Sequence, residues 1–359
     1  MLFLIVTFSI LFLGCSKPKK ITIDRNKLLS DIETLAHDSL AGRAFSKKGN
    51  LKAQKFILQS FNKIELVPVF GQELLQRFKH NFKGKLRQRV FPTKKRFEDV
   101  SLIKDTLVAG ANIVGMLKGK TEKSIVITAH YDHLGVRNGK IYNGADDNAS
   151  GTAALFTIAQ YFKDKPTKHN LVFAAVDGKE IGSIGASHFL KNYTNKENIS
   201  LNINMDMIAH SDYDPILFAS GLHHYPELRD PLEDIESEKI ILLFGHDDPN
   251  NKEQSDWTFS SDHRVFHREK IPFIYFGVPD HKDYHRHTDT YGTINQEWVE
   301  WGNDVLGEKG GAVLTASIIK EVAKDNIADK LLEKSYSYGE ELLNRNRPPQ
   351  RYDDIKGVD

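Results

Sequence analysis

Cysteine is almost absent: Cys15 is the only one in 359 residues. The chain beyond it can close no internal disulfide and offers no thiolate to a metal or a substrate. Net charge is equally scarce. Lysine and arginine number 49 against 48 acidic residues, leaving a formal +1, so no global field directs the chain to nucleic acid or to an acidic partner. Internal repeats are missing, and the apolar run at the N-terminus falls short of the roughly 20 residues that span a bilayer. What is present is bulk: 40% apolar residues over this length suffice for one large or two small globular cores.

The opening stretch MLFLIVTFSILFLGCSKPKK has the length of a signal-peptide core. Its Gly14-Cys15 step into polar, basic sequence resembles a bacterial lipoprotein signal, in which the cysteine becomes the lipidated N-terminus. No Lys or Arg precedes the run, and Phe12-Leu13 is bulkier than the usual pattern; an ordinary secretory signal or short anchor is the alternative. The expected division is a signal peptide over 1–15, a linker over 16–24, a main domain over 25–325 and a peripheral tail over 326–359. The expected location is outside the cytoplasm, held to a bacterial membrane through Cys15.

Helical periodicity marks Leu28, Leu29, Ile32 and Leu35, then Ala53, Phe56, Ile57, Leu58 and Phe61, with LAGR and SKKGN as a loop between. The cation-rich stretch 77–96 reads as a two-stranded surface ribbon. From 111 onward, strand-like runs (ANIVGML, SIVITAH, LVFAAVD, ISLNINMDMI, IPFIYFG) alternate with helical ones (SGTAALFTIAQYF, GSIGASHFLKNY, GGAVLTASIIKEVAKD). Ser150 is placed as an N-cap. The fold class is therefore α/β, with a mostly parallel central sheet covered by helices on both faces. Residues 211–260 read as a surface loop, with a lid or pocket wall as the alternative.

In such sheets, ligands bind beyond the carboxyl ends of the strands, and unusual polar residues collect there. His130 ends SIVITAH, and Asp132 follows it. Asp146 and Asp147 precede a helix. Glu180 follows LVFAAVD, Asp206 closes ISLNINMD, and His281, His285 and His287 follow IPFIYFG. Singly these are turn, cap and loop residues. Jointly, clustered carboxylates repel unless cations compensate them. Imidazole and carboxylate without thiolate suit zinc, with manganese or cobalt as alternatives, and five donors are enough for two ions if one carboxylate bridges.

The ordered strings AHYDHLG, NGADDNASG, VDGKEIGSIGAS, NMDMI, SDH and YHRHTDT resemble the motifs of the di-zinc aminopeptidase family, whose members include aminopeptidase S, aminopeptidase Y, glutamate carboxypeptidase and, divergently, glutaminyl cyclase. LAHDSLAGR resembles the N-terminal segment of bacterial members. The resemblance implies a zinc exopeptidase fold, two Zn2+ ions and a peptide substrate with a free N-terminus. It implies that Asp146 bridges the metals, that Glu180 and His285 hold one ion, and that His130 and Asp206 hold the other. Asp132 would orient an imidazole ligand, Asp147 would follow Asp146 across a cis peptide bond, and Asp289 would lie four residues beyond His285. Asp262 and His263 would shape the pocket.

One position departs from the family. Where its members carry a second glutamate that shuttles a proton, this chain has Lys179. An ammonium beside two dications is unfavourable, about 4 kcal/mol per unit charge at 4 Å and an effective dielectric of 20. Lys179 is therefore expected to lose basicity or to point away; Asp177 is no obvious replacement. Three readings follow: a weakened metallo-exopeptidase, a metal-binding pseudo-peptidase that captures peptides without cleaving them, and a glutaminyl cyclase-like acyltransferase.

Overall fold

Three seven-residue runs, SIVITAH, NLVFAAV and ISLNINM, are buried at every position. A strand buried on both faces has to lie between two covering layers, and the computed structural model builds that arrangement. It describes residues 23–83, 105–212, 216–233 and 241–296. The signal-peptide segment with Cys15, the linker up to residue 22, most of the cation-rich stretch beyond residue 83, the helix expected over 310–325 and the tail over 326–359 lie outside the described residues.

The strands are β1 (Val67–Pro68), β2 (Leu75–Phe82), β3 (Thr106–Leu117), β4 (Ser124–His130), β5 (Gly135–Arg137), β6 (Lys140–Tyr142), β7 (Asn170–Val176), β8 (Ile199–Met205), β9 (Ile216–Ser220), β10 (Ile241–Phe244) and β11 (Phe273–Gly277). Nine of them form one sheet in the order β1-β3-β7-β4-β8-β11-β9-β10, with β2 also paired to β3. The centre, β7-β4-β8-β11, is parallel; the β3-β7 and β11-β9 pairings are antiparallel. β5 and β6 make a separate hairpin.

Period-two alternation splits the central strands between two cores. Ile125, Ile127, Ala129, Leu171 and Phe173 pack with the helices α1 (Arg25–Leu35), α2 (Lys48–Ile64) and α3 (Gly151–Phe162). Val126, Val172, Ala174 and Val176 face the other way, onto α4 (Ile184–Asn192) and Phe266 of the helix His263–Arg268. No helix among the described residues is long and apolar enough to cross a membrane.

Three expectations are corrected. Residues 77–82 belong to no separate ribbon: β2 pairs with β3 along its length, because Phe78 and Phe82 need cover and find it against Phe45, Val108 and Ile184. The span 211–260 is no continuous loop either, since β9 and β10 extend the sheet. Ser150 also makes no side-chain cap at α3. Its hydroxyl donates to the Asp146 carbonyl at 2.7 Å, and the Asn148 side chain accepts the Gly151 N–H at 3.0 Å instead.

Candidate metal centre

The carboxyl ends of β4, β7, β8 and β11 open on one side of the sheet, and the turn before α3 joins them there. His130 ends β4. Its Nδ1 lies 3.0 Å from the Asp132 carbonyl, an acceptor only, so Nδ1 carries the proton. The Nε2 lone pair then faces Asp206 Oδ1 at 3.1 Å and Asp147 Oδ1 at 3.3 Å. A lone pair pointed at two carboxylates repels them unless a proton or a metal ion lies between. His285 Nε2 stands 3.2 Å from Asp147 Oδ2 and 3.5 Å from Glu180 Oε2.

The structure thus brings His130, Glu180, Asp206 and His285 around one carboxylate, and that carboxylate belongs to Asp147. The expectation for Asp146 is corrected: its side chain turns away and accepts from the Ala209 N–H at 2.7 Å, with His281 Nε2 at 3.1 Å. Adjacent residues in the irregular turn Ala145–Ser150 point to opposite sides, and the string NGADDNASG cannot say which aspartate faces in. The cis peptide bond lies one step on as well, between Asp147 and Asn148. Gly144 lets the turn form: at φ +61° a Cβ would meet the Asp147 carbonyl oxygen at 2.2 Å and the His133 ring at 2.5 Å. Asp289 accepts the Asp146 and Asp147 N–H groups at 2.9 and 3.1 Å. His285 itself sits at φ +54°, a conformation that costs a non-glycine residue strain.

Lys179 points inward rather than away. Its Nζ is 3.1 Å from Asp206 Oδ2 and 3.7 Å from both Asp147 Oδ1 and Glu180 Oε1. Burial opposes its charge, yet the carboxylates of Asp147, Asp206 and Glu180 outweigh burial and hold it well above the usual lysine range. Burial likewise opposes ionisation of Asp147 and Glu180; Lys179 and the surrounding histidines reverse this and keep both below the usual carboxylate range. His285, which burial would discharge, is pushed up to about 9 by the adjacent Asp147 and Glu180 carboxylates. Asp132 accepts the N–H groups of Lys179 and Glu180 at 3.0 and 3.2 Å. Asp177 lies elsewhere, bonded to Asn50 at 2.9 Å.

Several residues of the group escape the sequence reading. His133, within AHYDHLG, has Nδ1 3.6 Å from both Asp147 Oδ2 and Glu180 Oε1. A buried polar chain also ends on Asp206: Asn202 donates to Thr128, Thr128 to Asn204, Asn204 to Ser261, and Ser261 to Asp206 Oδ2 at 2.6 Å. Its signal was the alternation Ser200, Asn202, Asn204 along β8 and Asp206 just beyond it, polar where an ordinary buried strand face is apolar. Asp262 and His263 are both buried.

A divalent metal fits this donor set. Both Asp147 oxygens, Glu180 Oε1, His285 Nε2 and both His133 ring nitrogens are buried with no hydrogen-bond partner among the described residues. Native interiors rarely leave such atoms orphaned. His130, Asp147 and Glu180 each present a ligand atom within 4.8 Å of the others, and the donors are the imidazole and carboxylate types that bind zinc.

Residues 112–306 match the sequence pattern of Peptidase family M28. Aminopeptidase YwaD of Bacillus subtilis is 27% identical over 231 residues, which is 60% of this chain and 45% of that protein. The chain spans less than half the length of the curated relatives it matches first. Among solved structures, BSAP, a zinc aminopeptidase from Bacillus subtilis, aligns with a TM-score of 0.61 at 18% identity, covering 87% of this chain and 98% of that one. The Fimbriiglobus ruber glutaminyl cyclase aligns with a TM-score of 0.59 at 16% identity, over 85% and 97% of the two chains. At such identities these two likenesses speak for the fold.

Proposed function

Because the chain belongs to peptidase family M28, the matched pattern covering more than half of it, we propose that it is an exported metallo-exopeptidase acting on peptide N-termini, its chemistry weakened by Lys179. The convergence on Asp147 carries this reading. Asp147 would bridge two zinc ions, His130 and Asp206 would complete one set of ligands, and Glu180 and His285 the other. Ions held there supply Lewis-acid polarisation of a carbonyl and lower the pKa of water. Asp132 fixes the Lys179–Glu180 turn through two backbone N–H bonds, and Ser261 fixes Asp206.

Lys179 separates this chain from an efficient hydrolase. Its ammonium offers three donors and no acceptor, so it cannot take a proton at Nζ while charged. It can hold one there and donate it toward a leaving amine. Losing the accepting half of the proton transfer removes a share of the 10²–10⁴-fold that general acid–base catalysis typically supplies. The same inward ammonium favours a second reading, a pseudo-peptidase that holds peptides without cutting them.

Hydrolysis of an aminoacyl-4-nitroanilide panel by the zinc-loaded wild type and Lys179→Glu tests both. A kcat/KM at least about 100-fold higher in Lys179→Glu is expected. Robust wild-type turnover that the substitution leaves unchanged would remove the pseudo-peptidase reading. Two zinc-loaded, folded proteins with no turnover on any member of the panel would remove the exopeptidase reading.

A further inference from the structure

His210, His281 and Asp283 stand apart from the Asp147 group, yet all three are buried. His210 follows β8, and the other two lie on the loop after β11 that also carries His285. The His210 and His281 rings face each other at 4.1 Å, tilted by 33°.

The hydrogen bonds around them fix where the lone pairs are. His210 Nδ1 bonds closely to the Thr293 carbonyl, which has no proton to give, so the proton is on Nδ1. Its Nε2 lone pair then faces Asp212 Oδ1 at 3.4 Å and Asp283 Oδ2 at 3.9 Å. This repeats the construction at His130, a main-chain carbonyl on Nδ1 and carboxylates before Nε2. Such a carbonyl fixes the tautomer that ligating histidines present to metals.

The two carboxylates differ. Asp212 is already neutralised by Lys282, whose N–H and Nζ lie 2.6 and 2.8 Å from its oxygens. Asp283 is not: its side chain is only 8% exposed, and Oδ2 is buried with no hydrogen-bond partner among the described residues. A buried, unpaired carboxylate oxygen aimed at an imidazole lone pair is costly as it stands. His281 completes the group, with Nε2 3.1 Å from Asp146 Oδ2 and Nδ1 receiving the Asp283 N–H at 3.2 Å.

At 3.9 Å, His210 Nε2 and Asp283 Oδ2 are too far apart for a direct hydrogen bond. One ligand atom from each of the three residues lies within 4.8 Å of the other two. Two donors about 2.0–2.1 Å from one tetrahedral ion stand about 3.3 Å apart, so closure needs the His210–Asp283 pair to contract by roughly 0.6 Å and the Asp283 N–H to release His281.

We propose that His210, His281 and Asp283 form a separate site for a divalent transition cation, zinc foremost, that ties the loop after β8 to the loop after β11. Asp146 serves this site, through His281, while its neighbour Asp147 serves the other, so the two share one turn. The proposal stands independently of any peptidase activity.

The test uses the full chain, stripped with chelator and titrated with zinc against a chromophoric competitor. In the Asp147→Asn/Glu180→Gln background, with circular dichroism showing the wild-type fold, one zinc equivalent is expected to remain bound. Adding His210→Gln or Asp283→Asn should remove it. A folded background protein that holds no zinc overturns the proposal, and so does an equivalent that survives both further substitutions. Should the background fail to fold, wild-type crystals grown with zinc in excess over all of these sites decide: a zinc-edge anomalous peak between His210 Nε2 and Asp283 Oδ2 supports the site, and peaks confined to the Asp147 group overturn it.

Discussion

Arg43 is fully buried, and its guanidinium donates to four main-chain carbonyls, those of Tyr131, Leu35, Asn143 and Gly144, at 2.6–2.8 Å. These carbonyls belong to the end of α1, the residue after His130 and the entry to the Asp147 turn, so one planar fork fastens three segments. Burial lowers its pKa to about 10, against the pull of Asp289, Asp147, Asp132 and Glu180, and the cation partly offsets that acidic group. Arg43→Met would take the donor from the Tyr131, Leu35 and Asn143 carbonyls, at about 1–3 kcal/mol each before relaxation, while Gly144 keeps the Ala149 N–H. Urea unfolding should show a loss of about 3 kcal/mol or more, with Arg43→Lys recovering only part because an ammonium is not a fork; a loss under about 1 kcal/mol would sink this account. At this scale the sequence is hardest to read. Arg43 sits in LAGR, a string whose length and composition signal a loop. The choice between Asp146 and Asp147 turns on an irregular turn that no periodicity governs, and His133 is one imidazole among three polar neighbours.

Elements were more legible, because their signals are repetitive. β4 and the helices α1 to α4 follow from apolar runs whose periods match their geometry, and the placement of His130, Glu180 and Asp206 follows from strand ends. β9 and β10 were not legible: ILFAS and ILLF are short runs bounded by polar sequence, and only tertiary pairing makes them strands. The turn after β7 shows what an element end requires. Asp132 faces two N–H groups at once, those of Lys179 and Glu180, which only a carboxylate can accept with both oxygens. Asp132→Asn would set an amide N–H against one of those donors. The expected result is a stability loss of about 1–3 kcal/mol together with zinc binding weakened about 10–100-fold, read by thermal melting and competitive titration. A melting loss with undiminished zinc affinity would mean the turn does not position Glu180.

For the whole molecule, near-neutral charge (+1 with 15 histidines) makes mild acid the informative perturbation. Many groups titrate together there, so one buried histidine is best followed by difference. His263 lies against Phe273 and Tyr275, with ring centroids at 4.7 and 4.6 Å, and its Nε2–H donates to the Trp257 carbonyl at 2.9 Å. Burial, the largest influence, lowers its pKa to about 3, against about 6.5 in an unfolded chain. Between those values the unfolded state binds the extra proton and the folded state does not. The contribution is therefore complete above about pH 6.5 and drains away as pH falls toward 3. From pH 7.5 to 5 the wild type should lose about 2 kcal/mol more than His263→Phe, whose ring cannot titrate. The variant's lost bond to Trp257 shifts both of its values alike and cancels in the comparison, as do the carboxylates that titrate in both chains. Urea unfolding at the two pH values gives the four free energies required. Parallel pH dependences in the two proteins would show that His263 takes up its proton inside the folded chain, and that the aromatic layer between β11 and Trp257 admits water.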